Sequence, residues 1–144
     1  MRYICTSERQ EALAAICSMK CECPAYPEPN SSIGIWDSKE NKLVGGVTYT
    51  NYTKREIWAS IWMDDKKALT KGIMREIYSY PFIKCDVLRL CTNTRAGNEE
   101  SLKLQKKMGF VEEGRLRRFF GDEPHEDAIL MSMLKEECRW IKHG

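Results

Sequence analysis

The chain has 144 residues, 42% hydrophobic and 31% charged, with a formal net charge of +2. These values fit one globular domain, residues 1–144, large enough for a proper core. A charge so near neutral sets up no field that demands nucleic acid or a membrane surface, and no apolar run approaches a membrane span.

Arg2 to Thr6 reads as a first strand. Ser7 followed three residues later by Gln10 has the form of a capping box, and Leu13, Ile16 and Cys17 make an apolar stripe. Together they predict a helix to about Lys20. Cys23 to Asn30 must be a loop, because its three prolines cannot continue a helix. The seven cysteines are odd in number and no export signal precedes them, so reduced thiols in a cytosol are expected. Cys17, Cys21 and Cys23 crowd together without a fourth ligand at a zinc-type spacing, so no metal site is expected. Three strands follow: Ile33 to Asp37, Leu43 to Thr53 with Gly45-Gly46 allowing close backbone approach or a bulge, and Glu56 to Met63. In the last, Ile57, Ala59, Ile61 and Met63 take one face, and Trp58, Ser60 and Trp62 the other. Polar turns separate them, which makes an antiparallel meander. Ile73, Ile77 and Tyr80 then stripe a helix that Pro81 should end, and Val87 to Asn93 is the fifth strand.

Asn98 to Phe110 is the most telling stretch. Ser101, Leu104 and Met108 share one helical face. Glu99 and Glu100 lie in the first turn, with Lys103, Lys106 and Lys107 beyond, as the helix dipole favours. Gly109 stands where a left-handed C-terminal residue belongs, with Phe110 as its closing apolar contact. Val111 to Phe120 reads as a strand bulged near Gly114, Gly121 to His125 as a turn, and Asp127 to Leu134 as the last strand. Glu136 to Gly144 is a tail whose Trp140 packs back on the body. The meander followed by strand–helix–strand units predicts an α/β fold with a mixed, twisted sheet of about seven strands flanked by about four helices.

Asn98-x-x-Ser101, followed by Lys-Met-Gly109-Phe110 and Glu113-Gly114-Arg115, resembles the last helix and following strand of GNAT-superfamily N-acetyltransferases. The pattern is most similar to the branch that acetylates protein N-termini, including those of ribosomal proteins, and to short acetyltransferases of bacteriophages. The resemblance spans about Leu43 to Leu134. It implies a sheet splayed between its fourth and fifth strands, with the pantetheine arm of acetyl-coenzyme A in the gap. The family's glycine-rich pyrophosphate loop corresponds to Lys67-Ala-Leu-Thr70-Lys71-Gly72, of which only the last glycine is kept. Backbone N–H groups at a helix start can still bind a pyrophosphate, provided Thr70 keeps a negative φ. An ordinary basic helix start is the alternative. The cofactor contacts implied are Trp62, Met63, Lys67, Thr70, Lys71, Gly72, Ile73, Met74, Asn98, Ser101 and Gln105.

The chemistry implied is acetyl transfer from acetyl-coenzyme A to a primary amine, on a protein N-terminus or a small molecule. Many family members protonate the leaving thiolate with a tyrosine seven residues after the asparagine. Here Gln105 stands in that place, and Ser101 matches the serine of the N-terminal acetyltransferase branch. Glu56 is the best candidate base, with Asp64 next, and water an alternative. An N–H around Trp62 or Met63 would face the thioester carbonyl. Tyr26 falls where the family shapes its acceptor side, with a surface tyrosine as the alternative. His125 reads as an exposed turn histidine. Two other functions stay open: a non-catalytic module of the same fold, and an acyltransferase on modified nucleic acid using Arg115, Arg117 and Arg118. A homodimer is left open, and no membrane partner is expected.

Overall fold

The computed structural model describes residues 1–141, so Lys142 to Gly144 of the tail lie outside the described residues. The elements are β1 (Tyr3–Thr6), α1 (Gln10–Lys20), β2 (Ser31–Asp37), β3 (Lys42–Thr50), β4 (Glu56–Met63), α2 (Lys71–Ser79), β5 (Arg89–Arg95), α3 (Glu99–Met108), β6 (Val111–Leu116) and β7 (Ala128–Leu134). All seven strands join one sheet in the order β1-β2-β3-β4-β5-β7-β6. Every pairing is antiparallel except β4 with β5, whose parallel sense requires a crossover, supplied by α2.

The described residues hold three α-helices, where about four were expected. The stretch between α1 and β2 carries Pro24, Pro27 and Pro29 and stays irregular. One local expectation fails as well. Ser7 does not cap α1. Arg9 occupies the N-cap with φ 60°, and no side chain caps it. The Gln10 amide instead donates to Ser7 O (2.7 Å) and Ser32 O (2.8 Å) and accepts from Ser32 N–H (2.7 Å), so it ties α1 to β2. The α-helix ends at Ser79, just ahead of Pro81 as expected, and the chain goes on in a turn of another kind. Tyr80–Lys84 form one π-type turn, in which the Cys85 N–H reaches Tyr80 O at 2.9 Å. A wider turn absorbs the missing proline donor.

The two faces of the sheet differ. Ile57 and Ala59 of β4 and Leu90 of β5 turn inward to meet Ile73, Ile77 and Tyr78 of α2 and Met108 of α3. Trp140 closes this layer, stacking on Tyr78 (ring centroids 6.3 Å apart) and donating from Nε1 to Met108 O at 2.9 Å. On the other face α1 packs over β2, β3 and β4. Gly45 and Gly46 serve close approach. A Cβ on Gly45 would sit 2.3 Å from Met63 Sδ, and one on Gly46 2.7 Å from Trp62 Nε1. The neighbouring register shift leaves Val44 as the extra residue of β3. In β6 the extra residue is Glu113, beside Gly114 as expected.

Asp37 anchors the far edge. Its carboxylate accepts from Arg2 Nε (3.0 Å) and Nη2 (2.9 Å) and from the Lys39 (3.0 Å) and Glu40 (3.2 Å) N–H groups. Hydrogen bonding from Arg2 is the largest cause holding its pKa down to about 2. A depressed carboxyl pKa contributes stability above its unfolded value of about 3.9 and loses it as pH falls through the folded value. Urea midpoints of the wild type are therefore expected to fall more steeply between pH 4 and 2 than those of Asp37→Asn. Parallel acid limbs would remove Asp37 from the account.

Candidate active site

β4 and β5 pair at Glu56↔Arg89, Ile57↔Leu90 and Trp58↔Cys91, and there the pairing stops. β4 continues to Met63 and β5 to Arg95, so the strands part and open a gap in the sheet. The register between β3 and β4 is unbroken, and Asp64 N–H donates to Val44 O at 2.8 Å. An antiparallel ladder alternates every residue. The N–H groups of Ser60 and Trp62 therefore face β3, and those of Ile61 and Met63 face the gap. Of the two residues expected near the carbonyl, Met63 turns its N–H to the gap and Trp62 turns its N–H to β3.

α2 begins where β4 ends. Thr70 is its N-cap at φ −75°, within the range the glycine-poor loop needed, and its Oγ1 accepts from Ile73 N–H at 3.2 Å. Met74 N–H is taken by Thr70 O (2.9 Å), and the Ile73 and Met74 side chains are buried in the core. That leaves the Lys71 and Gly72 N–H groups at the exposed helix end. A Cβ on Gly72 would meet only Thr70 Oγ1, 4.0 Å away, so a ligand can come close. Lys67 and Lys71 are exposed beside it. Lys66 forms an ion pair with Glu100 across the mouth of the gap. From there a groove of about 250 Å³ runs between α2 and α3, lined by Leu69, Met74, Leu104, Lys107, Arg139 and Trp140. This basic, aromatic-walled groove was not legible in the sequence, because its residues come from four separate segments.

α3 forms the other wall. Asn98 is its N-cap, accepting from Ser101 N–H at 3.2 Å through Oδ1, which leaves its amide NH2 to donate elsewhere. Gln105 is buried and fully engaged. Its Oε1 accepts from Thr92 Oγ1 (2.5 Å), and its Nε2 donates to Thr94 Oγ1 (2.7 Å) and Ser101 Oγ (3.1 Å). It therefore clamps α3 to β5. The Ser101 oxygen is an acceptor in this chain, so the Ser101 proton is free to be donated. Gly109 closes the helix at φ 115°, and Phe110 N–H returns to Gln105 O at 3.0 Å, the C-terminal closure read from the sequence.

On the sheet face that carries α1, Glu56 is held firmly. Its carboxylate accepts from Trp58 Nε1 (3.1 Å), pairs with Arg89 Nε (3.1 Å) and lies 3.5 Å from Cys91 Sγ. Burial pushes the Cys91 thiol up to about 11, so it remains a donor. Asp64 is paired with Lys20. Tyr26 is half-buried beside β4, its hydroxyl 3.3 Å from Cys23 Sγ and 3.5 Å from Cys17 Sγ. Burial raises its pKa, which keeps it neutral. None of the seven cysteines is joined in a disulfide, and no group able to hold a metal is found among the described residues. The arginine patch is partly committed: Asp127 accepts from Arg115 Nε and Arg118 N–H, each at 2.7 Å. His125 is exposed in its turn, as expected.

A seven-stranded sheet splayed at its one parallel pair, with a helix N-terminus at the mouth of the gap, is the fold of the GNAT N-acetyltransferases. The spermidine N-acetyltransferase of Vibrio cholerae, solved with CoA and spermine, superposes with a TM-score of 0.69 at 18% identity, over 98% of this chain and 99% of that one. A structure described as a probable acetyltransferase matches 75% of this chain and 62% of its own, with a TM-score of 0.63 and 24% identity. In sequence the chain is 29% identical over 72 residues to "Putative ribosomal N-acetyltransferase YdaF" of Bacillus subtilis, which is 49% of this chain. That match spans 39% of the relative, about two-fifths of its length. No protein-family model matches.

Proposed function

We propose that the chain transfers an acetyl group from acetyl-coenzyme A to a primary amine. The observation that carries this is the parting of β4 from β5 directly below the uncapped Lys71 and Gly72 N–H groups, with the Ser101 hydroxyl on the facing helix. The fold match to acetyltransferases supports it.

The residues present fit the cofactor. Lys71 and Gly72 N–H, with Lys66, Lys67 and Lys71 side chains, receive the pyrophosphate, and the open approach at Gly72 lets it come near. The groove between α2 and α3 takes the nucleotide end. The Asn98 amide and the gap-facing N–H groups of β4 bond the pantetheine arm and the thioester carbonyl. When bound, acetyl-coenzyme A supplies an activated acyl group with a thiolate leaving group. Ser101 Oγ–H donates toward the departing sulfur, and Gln105 fixes that hydroxyl by donating to its oxygen. Glu56 places negative charge on the acceptor face to draw in the ammonium and pass its proton to solvent. An N-terminal amine, with a pKa of about 7.7–8.0, needs little further help.

Titration calorimetry with acetyl-coenzyme A tests the first half of this reading. Saturable one-site binding is expected. Absence of binding by well-folded protein would leave a non-catalytic module of the same fold.

A further inference from the structure

α1 ends in a left-handed turn. Cys21 N–H bonds Cys17 O (2.9 Å), Glu22 N–H bonds Met19 O (3.2 Å), and Cys23 N–H reaches back to Ser18 O (3.0 Å). Glu22 takes φ 52° to make the reversal. A turn of this kind sets the residue after the reversal against a side chain one turn up the helix. Here those residues are Cys23 and Cys17. The Tyr26 hydroxyl lies between them: Cys23 Sγ–H donates to it at 3.3 Å, and it donates to Cys17 Sγ at 3.5 Å. Both sulfurs are thus bonded to one oxygen atom.

Cys21, the third thiol, is placed differently. Its Sγ–H turns to Ile61 O at 3.7 Å. It follows Cys17 by four helical residues, a spacing that holds Cβ atoms about 5–6 Å apart, too far for the roughly 3.5–4.5 Å of a disulfide. The sulfurs also differ in acidity and access. Hydrogen bonding from Cys21 is the largest cause holding the Cys17 pKa below its usual range, and the same bond is the largest cause raising that of Cys21. Cys17 is 1% exposed and meets no solute, whereas Cys23 is half-exposed. Cys17 has the thiolate and Cys23 the access. The Tyr26 hydroxyl joins the two. By taking the Cys23 proton while giving its own to Cys17, it moves the negative charge to the exposed sulfur.

We propose that Cys23 reduces a hydroperoxide and that Cys17 then closes a Cys17–Cys23 disulfide, with the Tyr26 hydroxyl as the proton bridge. The Cys23 thiolate attacks a peroxide oxygen, so an S–O bond forms and the O–O bond breaks. The Cys17 sulfur then attacks the Cys23 sulfur, and the S–O bond breaks. Two thiols are oxidised to one disulfide, and their two protons leave with the peroxide oxygens as two waters. Closure also takes the Cys17 hydrogen from Ser60 O, 3.4 Å away, and both sulfur partners from Tyr26. Ser60 lies just past Trp58, the last residue of β4 paired with β5, so the oxidation is felt on the strand that walls the gap. None of this depends on the acetyltransferase reading.

The test treats reduced protein, freed of reductant, with hydrogen peroxide, alkylates the remaining thiols and maps the peptides by mass spectrometry. Cleavage after Lys20 parts Cys17 from Cys21 and Cys23, and cleavage after Glu22 parts those two. Wild type is expected to link Cys17 to Cys23, and dithiothreitol to release the link. Cys21→Ser is expected to keep it. Tyr26→Phe is expected to form it about tenfold more slowly, because the rate follows the thiolate fraction of the attacking sulfur. Thermal melts check that each variant is folded. Absence of the Cys17–Cys23 link in wild type, at a peroxide dose that oxidises free cysteine, would overturn the proposal. So would a link to Cys21 in its place, or the wild-type rate in Tyr26→Phe.

Discussion

The double variant Thr70→Pro/Lys71→Glu is expected to bind acetyl-coenzyme A about a hundredfold more weakly than wild type, an effect of the size carried by two charge-assisted contacts. Thr70 caps α2 through its side chain, and its own N–H donates to Ala68 O at 2.9 Å. Proline removes both bonds, so the first turn, which must present the Lys71 and Gly72 N–H groups, loses its anchor. Glutamate at position 71 then sets a negative charge against the pyrophosphate. The glycines that usually shape this loop are absent here, so the anion site depends on the cap and on nearby cations. Calorimetry on the variant, with circular dichroism to confirm that α2 persists, decides the matter. Wild-type affinity in the double variant would place the cofactor elsewhere.

Ser101→Ala is expected to lower kcat ten- to a hundredfold with little change in cofactor affinity. Coenzyme A thiolate is a good leaving group, so one lost proton donor costs on the order of 1–3 kcal/mol of transition-state stabilisation. The hydroxyl is well prepared for donation, because Gln105 occupies its oxygen and leaves its hydrogen free. Gln105→Ala is a different kind of change. It strips partners from the Thr92 and Thr94 hydroxyls in the buried interface between α3 and β5, at about 1–3 kcal/mol for each group left unsatisfied. It should therefore show mainly as a lower melting temperature, with a smaller loss of kcat through Ser101. An acetylation assay beside thermal melts separates the two. Unchanged kcat in Ser101→Ala with a large drop in Gln105→Ala would leave Ser101 as a packing residue.

Some charges on both sides of the gap are committed, and this bears on the competing functions. Arg115 is spent in part on Asp127, which takes one of the three arginines from a nucleic-acid surface, whereas Arg118 bonds Asp127 only through its backbone N–H. On the cofactor side, Lys66 is paired with Glu100 across the mouth of the gap. An exposed ion pair of this kind contributes little to stability. It can open for a phosphate at small cost.

The sequence by itself determined the elements whose causes are local. The period-two pattern of Glu56 to Met63 set the bounds of β4 and its two faces. Asn98 and Gly109 marked both ends of α3, because a cap bonds within one helical turn of itself. The bulge beside Gly114 and the turn at His125 were legible for the same reason. Partners distant along the chain were settled only by tertiary structure. Gln105 looked like a residue facing the cofactor, but its amide is consumed by Thr92 and Thr94, which the chain returns to it from 13 and 11 residues away. Gln10 looked like half of a capping box, yet Ser32, 22 residues on, outbids Ser7 by offering both a donor and an acceptor. A local pattern states what a residue can bond, and only the folded neighbourhood decides which of those bonds are already taken.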